Sequence, residues 1–334
     1  MSVRPHLWSL RSRTRSLLRT MDNRLKPLYC PWQQRANGAV LAVDIDAWVG
    51  LFAQLTWVVY LLQYCEERGM VPRIRLTGPL YARAPGLDWL GDLFALRHRR
   101  EDNHGPPIGV LRISRISEFA QLGLARDIPA RISVQQAARL IREQLRVRPD
   151  IQAHVDRFAA QHFDRRRVIG LHFRGTDKVT EAHRVSWEDC AATVDNYRRA
   201  HPDTQALFVS SDEAAFIDWI RGRIAGIEVI AHDDQERSRD GKPIHTQAAR
   251  GDNGQKAREA LINTLLLSRC DVLIRSSSFM SAWSSLFRPE LPIIMLNAPF
   301  DAKCWFPDAE LMTRSMKQYL PEALRDVSAP VPHS

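Results

Sequence analysis

The sequence predicts an α/β protein built on a doubly wound parallel sheet, and three observations carry that prediction. From residue 168 onward, short apolar runs alternate with helical stretches of about ten to fifteen residues, the pattern of βα units around a parallel sheet. The N-terminal third opens in the same way, β-α-β. The chain has 334 residues, enough for two domains of ordinary size.

Taken in order, Ala39 to Ile45 reads as the first strand and Asp46 to Gly50 as a turn. Leu51 to Arg68 has helical character, with Gly69 as its stop signal. Pro72 to Thr77 is the second strand, and residues 78–125, mixing Pro, Gly and charge, predict loops and short elements. Ser133 begins a helix, because Ser-Val-Gln-Gln is a capping-box pattern ahead of Ala138, Leu140, Ile141 and Leu145. Pro149 and Asp150 open another, with Ile151, Val155, Phe158 and Ala159 at helical spacing. These two helices are expected to bridge the domains. The second half predicts strands at 168–173, 206–211, 227–231, 271–275 and 292–296, with helices at 187–200, 213–224, 255–269 and 278–287. A polar loop, 232–254, interrupts the series.

Composition narrows the function classes. A hydrophobic fraction of 45% supports real cores and excludes wholesale disorder. The most apolar stretch, Trp48 to Cys65, is broken by Gln54, Thr56 and Gln63, so it reads as a buried helix and not a membrane span. Cys30, Cys65, Cys190, Cys270 and Cys304 are scattered and form no CxxC pair, which argues against a disulfide framework or a zinc site and for a reducing, cytoplasmic compartment. Residues 1–35 hold eight Lys/Arg against one acid, and so carry most of the net charge of +9. Leu7, Leu10, Leu17, Leu18, Met21 and Leu25 recur there with helical spacing. Such a basic amphipathic arm can lie on the inner, anionic face of a membrane; a disordered tail is the other reading. No basic patch with interleaved aromatics appears in the body, so nucleic acid is not an expected partner.

In a doubly wound sheet, ligands collect at the carboxyl ends of the strands. Three such ends are chemically distinctive here. The first, after the apolar run Val168 to Phe173, is Arg174, Gly175, Thr176, Asp177, Lys178 and Glu181, preceded by His172. The second is Ser210, Ser211, Asp212 and Glu213, and the third is Ser276, Ser277 and Ser278 opening a helix. A guanidinium and a helix N-terminus suit a nucleotide diphosphate. One carboxylate can read guanine or ribose hydroxyls, and another can take a proton from an attacking hydroxyl. No GxGxxG or Walker pattern is present, which excludes the usual dinucleotide and P-loop sites. Plainer readings stand beside these. Arg174 and Asp177 can be a surface ion pair, Asp212 a helix N-cap, the three serines a cap, and His172 a satisfied core histidine. Asp44-Ile45-Asp46 has the form of a metal-holding DxD, a pattern common by chance.

The segment 168–182, VIGLHFRGTDKVTEA, resembles the first donor-binding motif of the GDP-fucose-dependent fucosyltransferases, a group that includes the core α-1,6-fucosyltransferases and the rhizobial nodulation enzymes. LFVSSDEAAF at 207–216 is similar to the second motif, REALINTLLLSRCDVLIRSSSFMSAW at 258–283 to the third, and VGLFAQLTWVVYLLQYCEERGM at 49–70 to the family's N-terminal glycine-containing segment. The resemblance implies a GT-B fold, two Rossmann-like domains facing across a cleft with the donor site in the C-terminal one. It divides the chain into the arm at 1–35, an acceptor-side domain at 36–150, a GDP-sugar domain at 151–310, and a tail at 311–334 that packs back on the N-terminal domain. It implies inverting, metal-independent transfer of fucose from GDP-fucose to a glycan hydroxyl, in α-1,6 linkage. Carried over by position, Glu181 and Lys178 handle the acceptor proton, Asp177 orients the loop or donor, and Arg174 contacts the diphosphate. His172, Gly50, Asp212, Glu213, Asn263, Ser277 and Ser278 fall at nucleotide- or donor-contacting positions. Gly175 stands where family members carry a second arginine, and Asn263 where they carry an aspartate. Two other readings follow from those departures: a transferase for another GDP-deoxysugar, and a GDP-sugar-binding homologue without turnover.

Overall fold

The computed structural model describes residues 38–84, 86–96, 109–121, 132–175, 182–232, 237–238, 252–300 and 306–326, with isolated helical positions between Met21 and Ala36. The N-terminal half contains β1 (Val40–Ile45), α1 (Leu51–Glu67), β2 (Val71–Leu76), β3 (Phe94–Leu96), β4 (Leu111–Ile113), α2 (Val134–Gln144), β5 (Leu145–Val147) and α3 (Pro149–His162). Strands β2, β1 and β4 form a three-stranded parallel sheet in that order, and β3 pairs antiparallel with β5. The capping box at Ser133 is formed: its hydroxyl accepts from the Gln136 N–H at 3.2 Å, and the Gln136 side chain accepts from the Ser133 N–H at 3.0 Å.

The second half runs β6 (Arg167–Phe173), α4 (Trp187–Ala200), β7 (Thr204–Ser211), α5 (Ala214–Arg223), β8 (Glu228–Ala231), α6 (Asn253–Ser268), β9 (Val272–Arg275), α7 (Phe279–Phe287), β10 (Ile293–Met295) and α8 (Asp308–Thr313). Its five strands are all parallel, ordered β10-β9-β6-β7-β8. The order reverses beside β6, which places the ligand-collecting crevice at that strand's carboxyl end.

Two cores hold these layers. One is continuous across both halves: Leu41, Val43 and Ile45 of β1 and Leu55 and Leu61 of α1 share it with Leu266, Trp283 and Met295. The other lies on the far face of the five-stranded sheet and contains Ile169, Leu171, Phe173, Val194, Phe216 and Ile217. Helix α1 is therefore wrapped by protein, which is why its polar Gln54 and Thr56 are buried. Thr56 is satisfied across the halves, its hydroxyl accepting from the Trp283 indole N–H at 2.9 Å. Strand β6 separates the cores by alternation: Ile169, Leu171 and Phe173 enter the far core, while Val168 and Gly170 face the shared one, Gly170 lying against Cys270 and Leu267.

The expected elements stand within a few residues of their predicted bounds. The region expected as loops and short elements also supplies β4, which completes the N-terminal sheet. The C-terminal segment expected against the N-terminal domain divides its contacts. Leu320 and Leu324 join the far core of the C-terminal sheet, and the Met316 N–H donates to Ile293 O. Just ahead of that segment, Glu310 accepts the Val134 N–H at the start of α2, at 2.7 Å. Among the described residues no helix is long and apolar enough to cross a membrane.

Candidate active site

Alternation along β6 puts His172 and then Arg174 on the shared-core side, toward the N-terminal half, and Phe173 and Gly175 on the other. His172 is buried, and its carbonyl accepts the Ser276 N–H at 3.0 Å. The Arg174 N–H donates to the Ser276 hydroxyl at 3.0 Å, tying the end of β6 to the end of β9. Across the crevice stands the start of α1. Its first N–H, that of Leu51, donates to the Tyr81 hydroxyl at 2.9 Å. Burial pushes the Tyr81 phenol up to about 12, opposed by that N–H and by the nearby Arg174 guanidinium. Gly50 precedes the helix with no side-chain cap, and a Cβ added there would meet nothing within 4 Å. A guanidinium and the N-terminus of a 17-residue helix thus converge on open space, an arrangement suited to a phosphate group.

The β7 end carries Asp212 and Glu213. Asp212 is not a helix cap: α5 starts at Ala214, Glu213 holds the N-cap position without a side-chain cap bond, and the Ser211 hydroxyl accepts the Glu213 N–H at 3.1 Å. Burial first, and the neighbouring Asp212 carboxylate second, hold the Glu213 carboxyl above the usual carboxylate range, while the Trp187 side chain and Arg184 oppose that shift.

The β9–α7 loop is held from beneath by a buried network. Arg275 is fully buried and pairs with Asp308 at 2.5 Å, while its other donors reach the Ser281 hydroxyl at 2.8 Å and Ser278 O at 2.7 Å. The Ser277 hydroxyl also donates to Asp308, at 2.6 Å, and the Ser277 N–H donates to Asn297 Oδ1 at 2.7 Å. The Ser277 hydroxyl is therefore turned into the protein and not toward the crevice. Ser278 holds the N-cap position of α7 but makes no side-chain cap bond, and its hydroxyl is buried with no hydrogen-bond partner among the described residues, as is that of Ser210. Asn263, expected at a nucleotide- or donor-contacting position, is fully buried in α6; its Nδ2 donates to Glu259 O at 2.9 Å, and its Oδ1 has no partner among the described residues. Buried polar atoms without partners are costly, and a bound ligand is one way to satisfy them.

Asp177, Lys178 and Glu181 lie outside the described residues, so the structure joins only their anchor, Arg174, to the rest of the site. Of the DxD pair, Asp44 accepts the Thr77 hydroxyl at 2.7 Å. Among the described residues no group of three or more His, Cys, Asp or Glu side chains is placed to hold a metal ion. The structure adds residues that sequence reasoning missed: Tyr81, Asn297, Asp308 and the run His183–Glu188. Asn297 follows a strand of the same parallel sheet, so the carboxyl-end rule could have flagged it. The others arrive by long-range packing and carry no local signal.

A cavity of about 380 Å³ opens at the strand ends, lined by Phe173, Arg174, Gly175, His183 to Glu188, Glu213, Ser276 and Asn297. A Cβ at Gly175 would fall 2.3 Å from Glu213 Oε1 and 2.8 Å from Phe173 Cε1, so only glycine leaves that carboxylate where it is.

Residues 131–310 match the family model described as Nodulation protein Z (NodZ). Nodulation protein Z of Bradyrhizobium diazoefficiens is 28% identical over 176 residues, covering 49% of this chain and 46% of that protein. The Azorhizobium caulinodans protein of the same name is 32% identical over 155 residues, covering 43% of this chain and 46% of its own length. The chain thus spans about half the length of the curated relatives it matches. Among solved structures, fucosyltransferase NodZ from Bradyrhizobium superposes with a TM-score of 0.53 at 19% identity, covering 79% of this chain and 97% of that one. A NodZ α-1,6-fucosyltransferase co-crystallized with GDP gives 0.53 and 19%, covering 79% and 96%. These likenesses show the fold, the two-sheet GT-B architecture.

Proposed function

The chain belongs to the nodulation protein Z (NodZ) family, and from that premise we propose that it transfers L-fucose from GDP-fucose to a glycan, with inversion at C1 and without a metal ion. The observation that carries the proposal is the Arg174 guanidinium close to Tyr81, whose hydroxyl holds the first N–H of α1, beside the open space at Gly50. Solved NodZ structures co-crystallized with GDP and soaked with GDP-fucose support the choice of donor. A glycan 6-hydroxyl is the proposed acceptor group, after the α-1,6-fucosyltransferase among those structures. Residues 36–150 form the acceptor side and 151–310 the GDP-sugar side.

In this mechanism the acceptor oxygen attacks C1 of fucose as the bond from C1 to the β-phosphate oxygen breaks. The acceptor proton passes to Glu181, with Lys178 as its neighbour and Asp177 orienting the loop. GDP leaves with its new negative charge on the β-phosphate. Arg174 meets that charge with fixed donors that need no reorganisation, aided by the positive end of the α1 dipole. His172, Ser210, Ser278 and Asn263 supply polar atoms along the nucleotide's path, and Asp212 the acidic edge. Much of the acceleration comes from holding donor and acceptor in line.

The test follows GDP release by the full chain with GDP-fucose and a mixed oligosaccharide pool, with and without EDTA. Release that survives EDTA is the expected result. Loss of release in EDTA overturns metal independence, and GDP binding with no release on any acceptor overturns transfer.

A further inference from the structure

The cavity beside Gly175 is not the crevice that receives the diphosphate. Strand alternation puts it on the far face of β6, at the starts of α4 and α5, with Phe173 and Gly175 in its wall. Arg174 and Ser276, at neighbouring strand ends, are the residues that the two spaces share.

Its chemistry is that of a sugar pocket. Among the described residues that line it, the guanidiniums of Arg174 and Arg184 match the carboxylates of Glu188 and Glu213 in number, which suits a neutral polyhydroxylated ligand better than an anion or a cation. The Trp187 indole and the Phe173 ring give it an apolar side, and about 380 Å³ lies within the usual range for small-ligand sites. The walls are built before any ligand arrives. The Asn297 Nδ2 donates to His183 O at 2.5 Å while its Oδ1 holds Ser277, the His183 N–H reaches Ala298 O, and Ser186 caps α4. Phe300, half exposed, sets its ring 4.7 Å from His183 at the rim. Glu213 stays in the wall because residue 175 has no Cβ, which gives Gly175 a role beyond that of a missing arginine.

We propose that this cavity is a saccharide subsite that seats a neutral pyranose ring of the acceptor, separate from the GDP site and adjoining it at Arg174. The inference rests on the fucosyltransferase reading and adds where the acceptor is held. Ring hydroxyls hydrogen-bond to Glu213, Glu188 and Arg184, and a ring face lies against Trp187.

Saturation-transfer NMR on the full chain, with N-acetylglucosamine, glucose, galactose and mannose as methyl glycosides, each with and without saturating GDP, tests it. At least one glycoside is expected to bind alongside GDP. Arg184→Ala and Glu188→Gln, both exposed positions that should not disturb folding, are expected to weaken that glycoside about tenfold, the loss of one charge-assisted hydrogen bond, and to leave GDP affinity within about twofold. Gly175→Ala should weaken the glycoside as well, by displacing Glu213. Displacement of the glycoside by GDP would show a single shared site and overturn the inference. So would GDP binding with no glycoside bound, or glycoside binding indifferent to both variants; none of these touches the donor reading. Absence of GDP binding overturns the donor reading and the inference built on it.

Discussion

Arg174 and Glu213 sit on neighbouring strand ends and act in different ways. The proposed work of Arg174 is done by a planar fork of donors that a lysine cannot reproduce. Arg174→Ala is expected to cost roughly 3 kcal/mol or more of transition-state stabilisation, a loss of over a hundredfold in kcat/KM, and Arg174→Lys to recover little of it. Steady-state rates within tenfold of wild type for the alanine variant would sink the assignment. Glu213 bears on stability. Its carboxyl titrates above the usual range, so folding favours the protonated form. The stabilising contribution of that proton is fully present below the unfolded-state pKa and disappears as pH rises through the folded one. Glu213→Gln keeps an acceptor for Trp187 and removes the charge. Its melting temperature should therefore exceed that of wild type at pH 8 and match it near pH 4; an equal difference at both would deny the shift.

Elements differ in how much of themselves they show in sequence. Helix α2 was legible because Ser133 and Gln136 signal its start within four residues, and β6 because its apolar run stands between polar flanks. Strand β4 was not: it is short, and its alternate residue Arg112 is exposed, so its membership in the sheet is decided by β1 and not by its own pattern. The β9–α7 loop hides its support in the same way, since Asp308 lies far along the chain from Arg275. Asp308→Ala should destabilise the fold by about 3–5 kcal/mol, because it strands a buried guanidinium, whereas replacing both partners with apolar residues of similar size should cost far less. Denaturant titrations of the two variants check this, and equal losses would contradict it. Four of the isolated helical positions ahead of β1 raise a different matter. Met21, Leu25, Leu28 and Trp32 are 61%, 51%, 76% and 62% exposed, a single apolar stripe at helical spacing beside the basic charge of residues 1–35. We propose a peripheral contact of this stripe with an anionic membrane face. Sedimentation with phosphatidylglycerol vesicles, but not with neutral ones, is expected, and should be lost in Leu25→Glu/Leu28→Glu; binding to both vesicle types alike would refute it.

At the scale of the whole molecule, the two sheets share one core, joined through α1, α7 and the Trp283–Thr56 hydrogen bond. A buried apolar joint of this kind makes the halves cooperative where separate domains would move and melt apart. Calorimetry should show one unfolding transition with equal calorimetric and van't Hoff enthalpies, shifted upward by GDP; two resolved transitions would show independent halves. None of this joint could be read from sequence, because the apolar pattern of α1 says that it is buried and not what buries it. The carboxyl ends of β6, β7 and β9 were visible in advance, while the alternation that splits them between crevice and cavity acquired meaning only once the residues on each face were placed. That split has a kinetic consequence. In the proposed arrangement the two reactants lodge on opposite faces of one strand and enter by separate doors, so neither needs to arrive first. Transfer should then follow random-order addition, with GDP competing against the sugar nucleotide and acting noncompetitively toward the acceptor.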